Sequence, residues 1–84
     1  MKQVILDGGV IAGRTQLHDA LTVQLQLPEW YGRNLDALYD CLREVRDVEI
    51  VLRCWPREGY LARAMDVMLD AARENPSLRI NIAA

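Results

Sequence analysis

The 84 residues, 51% of them apolar, are enough for one small domain with a single hydrophobic core, so one domain spanning residues 1–84 is expected. Ten Lys and Arg against twelve Asp and Glu give a net charge of −2, and this balance offers no basic surface for direct nucleic-acid binding. No apolar run approaches the roughly 20 residues of a membrane span, and Met1 to Asp7 lack the apolar stretch of a secretory signal, so a cytoplasmic protein is expected.

Gln3-Val4-Ile5-Leu6 is a short β-branched, apolar run closed by Asp7-Gly8-Gly9, which reads as a strand and a turn. Thr15 offers an N-cap for a helix over about Gln16 to Leu25, with Leu17, Ala20, Leu21 and Leu25 on its apolar side. His18 lies one step off that stripe and reads as a structural or partly exposed histidine, since no motif ties a nucleophile to it.

The stretch 26–42, QLPEWYGRNLDALYDCL, is different in kind. Pro28 and Gly32 punctuate a loop, Asn34 suits an N-cap, and Leu35, Leu38, Leu42 and Val45 recur as the stripe of a helix running to about Arg46. On that helix Asp36 and Asp40 stand one turn apart, and such a like-charge pair costs an isolated helix about 0.2–0.5 kcal/mol. Trp30 and Tyr31 sit in a loop too short to form a core of its own, which puts at least one ring at the surface beside the Asp face. Exposed aromatics beside an oriented acidic pair are a pattern of protein-binding hot spots. Read alone, the same residues also suit a hydrophobic cover on the core and a solvated helix face.

Beyond that helix, Val48 to Arg53 has a continuous Ile50-Val51-Leu52 centre, as a strand buried on both faces shows. After Trp55-Pro56, Tyr60 to Glu74 reads as a long helix with Leu61, Met65, Met68, Leu69 and Ala72 buried and Arg63, Asp66, Asp70 and Arg73 opposite. Asn75 suits a left-handed position closing that helix, Pro76 forbids its continuation, and Leu78 to Ile82 alternates as an edge strand does. The order β-α-α-β-α-β with right-handed crossovers predicts an α/β fold: a two-layer domain with a three-stranded parallel sheet, order 1-2-3, and the helices on one face. Cys41, Cys54 and the single His18 make no zinc constellation, and the thiols are expected to be reduced and buried; no metal, cofactor or disulfide is expected.

The run Leu27-Pro28-Glu29-Trp30-Tyr31-Gly32-Arg33-Asn34-Leu35-Asp36-Ala37-Leu38-Tyr39-Asp40-Cys41-Leu42 resembles the signature of the barstar family, intracellular inhibitors of the secreted ribonuclease barnase. The resemblance implies the same fold, and a loop and helix that fill a nuclease active site. It implies partner-binding roles for Trp30, Gly32, Asn34, Leu35, Asp36, Tyr39 and Asp40, with Asp40 the principal anion, and for Asp70 on the last helix. Two departures stand out. The family's founding member has an additional short helix before the last one, where here only Arg57-Glu58-Gly59 separates Trp55-Pro56 from Tyr60. Arg33 is cationic where that member is acidic, and Arg43 follows the Asp pair.

The functional expectation is therefore a protein inhibitor, monomeric when free, that plugs an extracellular-type ribonuclease with acidic groups standing in for phosphates. One alternative is a barstar-like interaction module whose partner is not a ribonuclease. Another is an enzyme using Asp36 and Asp40 as paired carboxylates, which a domain of this size without a deep cleft serves poorly.

Overall fold

In the computed structural model, which describes residues 1–83, the chain forms β1 (Lys2–Asp7), α1 (Arg14–Leu25), α2 (Leu35–Leu42), β2 (Val48–Arg53), α3 (Gly59–Glu74) and β3 (Leu78–Ala83). The strands are parallel in the order β1-β2-β3, as expected from strands joined by helical crossovers.

Register decides what each side of the sheet carries. Val4, Ile50 and Ile80 align across the strands, as do Leu6, Leu52 and Ile82. Val4, Leu6, Val48, Ile50, Leu52 and Leu78 form one core with Leu17 and Leu21 of α1, Leu38 and Leu42 of α2, and Leu61, Ala64, Met68 and Ala71 of α3. The rows between them, Gln3–Glu49–Arg79 and Ile5–Val51–Asn81, point the other way because side chains alternate along a strand. Val51 is only 9% exposed yet lies outside the core cluster. Its burial comes from its neighbours in the sheet and not from a second layer of helices. The outer edge of β1 is closed by Gln24, whose side chain accepts from the Ile5 N–H and donates to the Ile5 carbonyl, both at 3.1 Å.

Four local expectations are corrected. Thr15 does not cap α1: the helix starts one residue before it, after Gly13, and the side chain of Gln16 takes up the Ala12 N–H at 3.1 Å. The stripe of α3 is Leu61, Ala64, Met68 and Ala71, rotated from the expected one, because two alanines let the helix approach the layer beneath it while Met65 and Ala72 sit at the margin and Leu69 outside the cluster. α2 stops at Leu42, four residues short of Arg46, and Asn75 is the reason. Its side chain, 3% exposed, donates to the carbonyls of Leu42 at 2.9 Å and Val45 at 2.8 Å, and its Oδ1 accepts from the Ser77 N–H. Asn75 itself is extended, at φ −131°, and so closes α2 from across the fold instead of closing its own helix in a left-handed turn.

The short passage Cys54–Glu58 contains no helix, and the Trp55 indole ties it to α3 by donating to the Leu61 carbonyl at 2.7 Å. Both cysteines are free; Cys41 is half-buried, and Cys54 is exposed instead of buried because it turns the chain out of β2 at φ 51°. Among the described residues no helix is long and apolar enough to cross a membrane.

Candidate functional site

Between α1 and α2 the chain turns sharply, with the Tyr31 N–H donating to the Pro28 carbonyl at 3.0 Å. The turn sends its two aromatics in opposite directions. Trp30 is 81% exposed and Tyr31 only 5%. Tyr31 is the anchor: its hydroxyl lies 2.6 Å from His18 Nδ1, and His18 Nε2 lies 2.7 Å from the hydroxyl of Tyr60 on α3. His18 is 1% exposed, so it belongs to the interior and not to the margin of α1. A neutral imidazole donates from one nitrogen and accepts at the other, which satisfies both of its ring atoms here. One buried histidine thus joins α1, the loop and α3, and fixes the loop from which Trp30 projects.

Arg33 has φ 53°, and its guanidinium turns back to α1, where it donates to the Thr15 carbonyl and pairs with Asp19. The cation expected beside the acidic helix is therefore neutralised on the far side of the loop. Asn34 caps α2 as expected, its Oδ1 accepting from the Ala37 N–H at 2.8 Å, while its Nδ2 donates to the Gly32 carbonyl at 3.2 Å. Its carboxamide is spent on building the site. A β-carbon on Gly32 would lie 3.1 Å from Asn34 Nδ2 and 3.2 Å from the Ala37 methyl, so glycine lets the loop pass tight against the first turn of α2.

On α2, Leu38 and Leu42 are buried, Leu35 and Tyr39 pack at the edge of the core, and Asp36 and Asp40 are exposed. Neither aspartate forms an ion pair among the described residues. Asp40 opens onto a shallow groove of about 440 Å³ lined by Trp30, Asp40, Cys41, Arg43, Glu44 and Glu74. The structure therefore brings Trp30 and Asp40 together. Asp36 stands one turn before Asp40 on the same helix and does not line the groove. Asp70 is exposed one turn before Glu74 and is paired with Arg73 at 3.0 Å. Glu44 carries no sequence signal, and Glu74, which reads from the sequence as an ordinary surface position outside the contact, lines the groove instead; its one signal is its place one turn beyond Asp70 on the exposed side of α3.

Burial, reinforced by the nearby Arg14 and Arg33 and opposed by Asp19, pushes the His18 pKa below its ordinary value of 6.5. The folded state thus holds His18 neutral where the unfolded chain would protonate it. Stability is fully present above about pH 6.5 and is lost as pH falls through that value toward the folded pKa, with a slope of at most about 1.4 kcal/mol per pH unit. Urea unfolding from pH 8 to pH 5 should show this decline, and His18→Gln should flatten it. A wild-type curve that stays level or rises toward pH 5 would remove His18 as the acid-sensitive group.

Exposed carboxylates on a well-anchored helix can accept charge-assisted hydrogen bonds from cations of a partner, and an exposed indole beside them supplies apolar area. Among the described residues no group of three or more His, Cys, Asp or Glu side chains is placed to hold a metal ion. The family model described as Barstar (barnase inhibitor) matches residues 1–83. The chain is also similar to the "Putative ribonuclease inhibitor YrdF" of Bacillus subtilis (strain 168), with 44% identity over 52 residues that make up 62% of this chain and 57% of that protein. The match thus spans little more than half the length of that relative.

Proposed function

The chain belongs to the barstar family, and from that premise we propose that it inhibits a small extracellular-type ribonuclease by covering its active site with α2 and the Trp30 loop. It acts by binding and not as an enzyme. The observation that carries this reading is the juxtaposition of Trp30, 81% exposed, with the unpaired Asp40 in one groove. A folding chain gains by burying an indole, and like charges at i, i+4 weaken a helix, so neither feature serves stability.

A ribonuclease gathers cations where it binds RNA phosphates. Asp40 takes the place of a phosphate there without offering a bond to cleave, Asp36 and Asp70 stand beside it, and Trp30 and Tyr39 pack around the contact. Opposite fields speed the encounter, so association slows as salt screens charges beyond about 10 Å at 0.1 M. On this reading capture protects RNA in the compartment where the enzyme is made, with the cytoplasm as the place of action and a free monomer as the acting form.

The test is inhibition of barnase, and of small ribonucleases from the organism that makes this protein, by wild type, Trp30→Ala and Arg79→Ala. Arg79 is exposed on the sheet face away from the helices. Trp30→Ala should weaken inhibition by about 2 kcal/mol or more, the cost of truncating a hot-spot aromatic, and Arg79→Ala should match wild type. Equal inhibition by all three would move the site off this face. Absence of inhibition by wild type would favour a partner that is not a ribonuclease.

A further inference from the structure

The groove is not uniformly acidic. Arg43 lies among Asp40, Glu44 and Glu74, yet forms no ion pair with any of them within 4.0 Å, and no other pair among the described residues includes it. Its guanidinium is instead held over the Tyr39 ring, 5.5 Å from the centroid. The backbone fixes it too, since Arg43 closes α2 in helical geometry with its N–H on the Tyr39 carbonyl at 3.1 Å. A cation at a helix C-terminus and above an aromatic face is favourably placed in the free protein. It therefore need not fold back onto the carboxylates and stays directed at whatever enters the groove. Arg33, on the loop itself, is already occupied by Asp19.

We propose that Arg43 is a specificity-determining residue of this surface, selecting ribonucleases that present a carboxylate opposite Arg43 next to the cations that meet Asp40. This rests on the inhibitory reading of the same groove. A partner wall that is cationic throughout would satisfy Asp40, Glu44 and Glu74 but would bring a like charge against Arg43. Repulsion of that kind is how an interface rejects near relatives of its partner. A wall with a carboxylate at that point gains an ion pair with a guanidinium that the Tyr39 ring already orders, so little side-chain freedom is lost on binding.

The experiment measures inhibition constants of wild type, Arg43→Thr, Arg43→Glu and Asp40→Ala against barnase and a panel of small ribonucleases of its class. Thermal unfolding of each variant confirms that all are folded, as expected for an exposed position. For an enzyme that wild type inhibits, Arg43→Glu should weaken inhibition about tenfold or more, and Arg43→Thr by less. For an enzyme that wild type does not inhibit, Arg43→Thr or Arg43→Glu should create inhibition that Asp40→Ala in the same background removes. Either result supports the proposal. If wild type inhibits, Asp40→Ala abolishes this, and both Arg43 variants stay within about twofold of wild type on every enzyme, Arg43 is a bystander while the inhibitory reading stands. If neither wild type nor any Arg43 variant inhibits a single enzyme, the inhibitory reading fails and takes the proposal with it.

Discussion

Replacing Asp40 with alanine should weaken ribonuclease inhibition by about 2–5 kcal/mol or more and leave the fold at least as stable as before. The affinity range is that for truncating one member of a buried charge pair, and it comes from the barnase–barstar system itself. In the complex the partner's cations would be left desolvated and unpaired, so the loss should appear mainly as faster dissociation. In the free protein nothing comparable is lost. Asp40 is exposed and unpaired among the described residues, stands one turn from Asp36, and lies in the second half of an eight-residue helix, where the dipole disfavours an anion. Alanine relieves both penalties and raises helix propensity, each by a few tenths of a kcal/mol. Stopped-flow association and dissociation rates together with urea unfolding check both halves. A stability loss above about 1.5 kcal/mol would mark Asp40 as a structural hydrogen-bonding group and remove the argument that it is kept for binding.

Asn75→Ala should show the reverse pattern, a loss of about 2–4 kcal/mol of stability with no direct loss of a partner contact. The substitution removes the donor to the Leu42 and Val45 carbonyls and the acceptor of the Ser77 N–H, and a buried polar group left unsatisfied costs about 1–3 kcal/mol. Because α2 ends on that side chain, its last turn should fray, and Arg43 and Glu44 should lose protection from amide hydrogen exchange more than residues of β2 do. Asn75→Asp keeps the bond from Ser77 but sets a buried carboxylate oxygen against the Leu42 and Val45 carbonyls, so at neutral pH it should be at least as destabilising as alanine. A loss below about 0.5 kcal/mol for Asn75→Ala would mean that water replaces the carboxamide and that α2 ends for some other reason.

These two residues mark what could be read from the chain. The strands, the Asn34 cap and the exposure of one loop aromatic were legible from residues within a few positions of one another, and the parallel order followed from the helical crossovers between strands. Asn75 does end α3, but in extended rather than left-handed geometry, and its side chain's work on α2 is invisible to local pattern because its partners, Leu42 and Val45, lie about 30 positions back. His18 looked marginal for the same reason: the hydroxyls that make its burial affordable come from Tyr31 and Tyr60 on other elements. The shift of the α3 stripe reflects alanine, whose weak hydrophobic signal hides its value where helices pack closely. At the candidate site Trp30 and Asp40 were legible as chemistry. Their shared groove with Glu74, the capture of Arg33 by Asp19 and the exposure of Arg43 were not, since each depends on how α2 meets α1 and α3.

On the proposed mode of inhibition, Asp40 and its neighbours occupy the place of RNA phosphates in the partner. Competition tests it most directly: binding of this protein to barnase, or to whichever ribonuclease it inhibits, measured by calorimetry with rising concentrations of a 3′-mononucleotide held in the enzyme's phosphate site. Mutually exclusive binding predicts that the apparent Kd rises in proportion to the nucleotide and that no ternary complex forms. An apparent Kd unchanged at saturating nucleotide would contradict the account, because the inhibitor and the phosphate would then sit on the enzyme together.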